Sequence, residues 1–134
     1  MAITDLPLLG QIKGRLTWLD ERQRVIAENV ANADTPGYAS RDLKQPTDFA
    51  AALRGGGRLT MTRTSAMHIA PAGPAARFDA HKAPDSETTL DGNSVVVEEQ
   101  MLKMAESRMA YDAAIGLYQK SMQMLRMAAK APGR

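Results

Sequence analysis

From Leu9 onward, apolar residues recur at alternating spacings of three and four: Leu9, Ile12, Leu16, Leu19, Ile26, Val30 and Ala33, with Gln23 as the one polar member. This is a heptad seam sustained for more than three repeats, and it predicts a helix from about residue 6 to residue 32. At 1.5 Å per residue such a helix is roughly 40 Å long. Thr4 or Asp5 is placed to cap its start, and Pro7 suits the first turn, where its missing N–H would lack an intrahelical partner anyway.

The C-terminal third repeats the pattern with Val97, Met101, Met104, Tyr111, Ile115, Tyr118, Met122, Leu125 and Ala129, interrupted at Arg108. Asn93 or Ser94, after an Asp91-Gly92 turn, is placed to cap this second helix, and Ala131-Pro132-Gly133 marks its end. If the chain doubles back, one antiparallel register levels the two polar interruptions, Gln23 with Arg108. The same register sets Leu9 by Met122, Leu16 by Ile115 and Val30 by Met101. A further row, Leu102, Ala105, Met109, Ala113 and Leu117, makes the second helix apolar on more than one face. Such a helix needs two neighbours, supplied either by the middle segment or by another molecule.

Between residues 34 and 92 the heptads vanish. Asp48 to Leu53 suits a short helix stopped at Gly55, and Leu59 to Thr64 alternates as a half-exposed strand does. Pro71, Gly73, Pro74 and Pro84 punctuate the rest, and Lys82 to Thr89 has the composition of a mobile loop. The fold expected is mainly α. Terminal helices within 1–33 and 93–131 pair as an antiparallel coiled coil, and an irregular outer region, 34–92, holds a short helix and little β.

The first seam ends in Asn29-Val-Ala-Asn32-Ala-Asp-Thr35-Pro36-Gly37-Tyr38. Proline disfavours the α conformation at Thr35, and Pro36-Gly37 fits the two central positions of a type II turn, the second of which needs positive φ. The chain therefore leaves its helical direction here. The amides of Asn29 and Asn32 are free to bond to backbone or to partner groups.

Composition narrows the function classes. The chain has 134 residues, 4% aromatic content and no cysteine, which excludes disulfides and thiolate chemistry. His68 and His81 are too few for a protein-only zinc site, so neither metal nor cofactor is expected. Ser65 and His68 lack an acidic orienting partner, Gly55-Gly56-Gly57 lacks the Lys-Ser/Thr of a phosphate loop, and adjacent Glu98 and Glu99 point in different directions on a helix. No enzyme site assembles from these residues. The basic excess gathers in Lys120, Arg126, Lys130 and Arg134, opposite the acids that open the second helix; this complements the helix dipole and is not a nucleic-acid footprint. The N-terminus has neither the basic region nor the apolar core of a secretory signal, and no apolar run reaches the roughly 18 residues of a spanning helix.

With both seams and the Asn29–Tyr38 run in place, the chain resembles the bacterial flagellar axial proteins, whose rod and hook members carry an Asn-x-x-Asn-x-x-Thr-Pro-Gly-Tyr-like motif after an N-terminal helix. Ala33-Asp34, Arg41-Asp42 and Gly92-Asn93-Ser94-Val95 leading to Glu99, Met101 and Met104 are similar to the proximal rod members of that group. Lys44-Gln45-Pro46 departs from the acidic-aromatic pair common after Leu43, and Asp48-Phe49 stands in for it. The resemblance implies a structural subunit of the basal-body rod, exported unfolded through the flagellar type III apparatus without a cleaved signal and working in the periplasm beside other rod proteins and the basal-body base. Leu9, Ile12, Leu16, Leu19, Ile26 and Val30, with Met101, Met104, Tyr111, Ile115, Tyr118, Met122 and Leu125, would then carry the assembly packing. Asn29, Asn32, Thr35, Pro36, Gly37 and Tyr38 would join helix to outer region. The rival from another class is a soluble helical adaptor or export chaperone that offers a groove to a client helix.

Overall fold

The computed structural model describes residues 7–45, 67 and 78–130. Two long helices, α1 (Pro7–Ala31) and α2 (Val97–Ala129), pack against each other, and a two-stranded antiparallel ribbon, β1 (Arg41–Leu43) and β2 (Ala80–Lys82), lies on α1. Arg41 pairs with Lys82, Asp42 with His81 and Leu43 with Ala80. The fold is mainly α, as the periodicity implies. The short helix at Asp48–Leu53, the strand at Leu59–Thr64, the cap at Thr4 or Asp5 and the Pro132 stop lie outside the described residues, as does the Ser65–His68 pair.

Pro7 is the first residue of α1, where proline costs no hydrogen bond. At the other end, Tyr38 N–H bonds to the Thr35 carbonyl across Pro36-Gly37, at 3.2 Å. Gly37 has φ +71°, the positive value that the second central position of a type II turn demands. A second turn docks on this one. Gly92, with φ +85°, closes a turn from Thr89, and Gly37 N–H donates to the Asp91 carbonyl at 2.9 Å. A Cβ on Gly92 would come within 3.3 Å of Gly37 Cα, so glycine meets both a conformational and a spatial need here.

Two local expectations are corrected. α2 begins at Val97, with Val96 as a cap residue that makes no side-chain cap bond, so neither Asn93 nor Ser94 caps it. Asn93 is instead turned back to the turn after α1, where its amide donates to the carbonyls of Asn32 and Thr35. The segment Lys82–Thr89, which reads as a mobile loop, is tied down by backbone bonds from Ala83 to Ser40, Asp85 to Ser94 and Thr89 to Asn93. Its polar composition serves hydrogen bonding between segments.

The apolar core runs through Leu9, Ile12, Trp18, Leu19, Val25, Ile26 and Leu43, all buried. Trp18, Leu19, Val25 and Leu43 form one cluster, with Phe78, Ala80, Ala110 and Tyr111 packed on it, so α1, ribbon and α2 share this centre. Among the described residues, no helix is long and apolar enough to cross a membrane.

Candidate functional site

On α1 the seam residues Leu9, Ile12, Leu19 and Ile26 are buried, and Leu16 and Val30 are half-buried. A second face of the same helix carries Trp18, Arg22, Val25 and Asn29, spaced four, three and four, and receives the ribbon. The Trp18 indole N–H donates to the Lys44 carbonyl at 3.2 Å. Arg22 forks onto Asp42 with two bonds of 3.1 Å and lies over the Trp18 ring, as Arg15 also does. This row was readable in the sequence as Trp18 and Val25 one heptad apart, ending on the first motif asparagine, but the stronger Leu/Ile seam hides it.

On α2 the inward face consists of two rows. Met104, Tyr111, Tyr118 and Leu125 are half-buried, as the heptads predict. The other row is rotated by one residue from expectation: Gln100, Ser107 and Ser121 are buried, whereas Met101 and Arg108 are exposed and Ile115 and Met122 are half-buried. Arg108 therefore does not face Gln23, and Gln100, not Met101, meets the end of α1. Two of the three buried members of this row, Ser107 and Ser121, are small. Their hydroxyls are buried without a hydrogen-bond partner, at a cost of about 1–3 kcal/mol each.

The rotation leaves a broad apolar face of α2 uncovered. Met101, Leu102, Met109 and Met127 are each more than 60% exposed, and Leu117 and Met124 about half. Ala105 and Ala113 lie exposed between them. The outer face of α1, by contrast, exposes Lys13, Arg15, Asp20 and Arg24. Arg24 pairs there with Glu21 and Glu28, exposed ion pairs that contribute little to stability.

The junction motif has defined partners. The Asn29 amide donates to the Arg41 carbonyl at 2.7 Å and to Gln100 Oε1 at 2.9 Å, while its oxygen accepts the Arg41 N–H at 3.0 Å. The Tyr38 hydroxyl reaches the same oxygen at 3.3 Å. The Asn32 amide donates to the Glu28 carbonyl, and its oxygen accepts the Thr35 hydroxyl. From the opposite side, the Asn93 amide donates to the carbonyls of Asn32 and Thr35 at 2.9 and 2.8 Å. Thr35, Pro36 and Gly37 themselves are exposed.

Asp85 completes this end. Its carboxylate is fully buried and accepts bonds from Val96 N–H, Gln100 Nε2 and Lys103 Nζ at 2.8–2.9 Å. Burial pushes the carboxyl upward, but the bonds from Lys103, Gln100 and Val96, with the Lys103 charge, outweigh it and hold the group below the ordinary aspartate value. A carboxylate with a depressed folded value stabilises above the unfolded value and loses that contribution as pH falls through the folded one. Wild-type protein is thus expected to lose stability on acidification below about pH 4, and Asp85→Asn to be less stable at pH 7 while losing less on acidification. Urea midpoints at pH 7 and pH 3.5 check this; an identical loss in both proteins would contradict it.

Among the described residues no group of His, Asp and Glu is placed to hold a metal. Of two open hollows, one of about 630 Å³ is lined by Ala33, Asp34, Thr88, Thr89, Leu90 and Asp91, where the Thr89 hydroxyl donates to the Asp91 carboxylate, and one of about 340 Å³ lies between the turn and the ribbon. The site is a packed helix pair with a bonded junction and an uncovered apolar face, the anatomy of a structural subunit.

Comparison with known proteins agrees. Residues 13–38, from within α1 to the motif tyrosine, match the family model described as "Flagella basal body rod protein". The chain is 34% identical over 123 residues to the flagellar basal body rod protein FlgB of Cereibacter sphaeroides, covering 91% of this chain and 93% of that one. It is 33% identical over 102 residues to FlgB of Escherichia coli K12 and 36% identical over 106 residues to FlgB of Salmonella typhimurium, each match covering 71% of this chain and 72% of the relative. The chain belongs to the FlgB family and is a structural rod subunit of the flagellar basal body.

Proposed function

We propose that this subunit builds the proximal part of the rod by self-assembly, and that the outer face of α2 is where neighbouring axial subunits pack. One observation carries the reading: the helix pair is complete within the chain, yet α2 still exposes Met101, Leu102, Met109, Leu117, Met124 and Met127. A helix face with this many exposed large apolar side chains, beside a charged α1, marks a surface made for burial against protein. Methionine suits it, because its flexible thioether adapts to neighbours that are not identical. Of the residues expected to carry assembly packing, Leu9, Ile12, Leu19 and Ile26 are buried, and Leu16, Val30, Met104, Tyr111, Ile115, Tyr118, Met122 and Leu125 are half-buried, which leaves part of each for a neighbour. Met101 is exposed on the outer face.

The same reading includes passage through the flagellar type III export apparatus without a cleaved signal, and residence in the periplasmic rod beside other rod proteins and the basal-body base. Rod-family membership supports a role without catalysis. Deleting the gene tests the proposal: cells are expected to be non-motile, with basal bodies lacking the rod, and to regain both on complementation. Motile deletion cells with intact rods would overturn it.

A further inference from the structure

We infer that Asn29, Gln100 and Asn93 form a register lock that selects one of several heptad-related offsets between α1 and α2. This goes beyond the rod reading and does not depend on it. The apolar seam alone discriminates poorly between offsets. On α1 it presents aliphatic residues at every heptad, and on α2 it repeats a large row, Met104, Tyr111, Tyr118 and Leu125, beside a small one, Ser107, Ala114 and Ser121. Sliding α2 by seven residues, about 10 Å of axial travel, again sets large against aliphatic and small against aliphatic.

Polar contacts break this degeneracy, and among the described residues those between the helices gather at one end. Asn29 and Gln100 are both fully buried and bonded to each other at 2.9 Å. Each is held from behind, Asn29 by both backbone groups of Arg41 and Gln100 by the buried Asp85 carboxylate, itself bonded to Lys103 and Val96. Neither amide is free to follow a sliding partner. Asn93, buried just before α2, adds two bonds to the Asn32 and Thr35 carbonyls in the turn that follows α1. A slipped pair would break the Asn29–Gln100 bond and both Asn93 bonds, leaving Gln100 Oε1 and the Asn93 amide buried without these partners, while its apolar contacts would change little. Buried amides set register in coiled coils in this way, by making the wrong alignments costly.

The lock implies that register, not only stability, changes when it is removed. Spin labels at Lys13 and Ala105, both exposed and well apart along the helix axis, report the offset by electron–electron distance measurement. The otherwise unaltered chain is expected to give one narrow distance. The Asn93→Ala/Gln100→Leu variant, in which the seam stays apolar, is expected to add a second population shifted by up to about 10 Å. Ser107→Ala, which alters the seam but not the lock, is expected to keep the single distance. A folded Asn93→Ala/Gln100→Leu variant with only the original distance would overturn the inference. Should that variant fail to fold, Gln100→Leu alone carries the test: a smaller second population supports the lock, and an unchanged single distance overturns it.

Discussion

Trp18→Ala is expected to lower stability by about 3–5 kcal/mol, the largest loss from any single truncation among the described residues. Trp18 is 1% exposed and sits where α1, the ribbon and α2 meet, against Leu19, Val25 and Leu43 with Ala110 and Tyr111 beyond. Truncation opens a cavity that rigid helices on two sides cannot close. It also removes the indole bond to Lys44 and the ring on which Arg15 and Arg22 lie, interactions of about 0.5–1 kcal/mol each. Domains of this size are stable by about 5–15 kcal/mol, so the variant stands near the edge of unfolding. Because Trp18 is the sole tryptophan, circular dichroism at 222 nm is the suitable probe of urea unfolding. A midpoint unchanged from wild type would show that the ribbon and helices do not share this core.

A second large effect should appear in assembly while stability stays level. Leu102 and Met109 are 62% and 66% exposed on the outer face of α2. Replacing both with glutamate buries nothing in the isolated chain, so its unfolding midpoint should move by no more than about 0.5 kcal/mol. In a deletion strain the variant is expected to leave cells non-motile, because two carboxylates in a dry interface cost several kcal/mol with no partner to neutralise them. Restored motility would place the assembly surface elsewhere. Marked destabilisation would mean that the face is already covered within the chain.

The α1 seam and the Pro36-Gly37 turn were legible because each rests on local chemistry: aliphatic residues at heptad spacing, and a turn position that only positive φ satisfies. The inward face of α2 was half legible. A search for hydrophobic residues selects Met101, Ile115 and Met122, whereas the chain turns Gln100, Ser107 and Ser121 inward. Gln100 pays for its burial with bonds to Asn29 and Asp85, partners 71 and 15 residues away that no local pattern reveals. The motif asparagines announced themselves as helix-stop chemistry. That Asn29 holds Arg41 and Gln100, and that Asn93 holds the turn after α1, depends on how the chain returns after residue 78. The same return fixes Asp85, whose surroundings in sequence read as a loop.

On the proposed reading, the outer face of α2 is buried by other subunits in the rod. A photo-crosslinking amino acid placed at position 109 in motile cells, followed by purification of basal bodies, measures this directly. The expected product is a covalent adduct between this chain and another axial subunit, formed on irradiation and absent from the unassembled protein. Basal bodies that contain the labelled chain and yield no adduct with another subunit would contradict the claim.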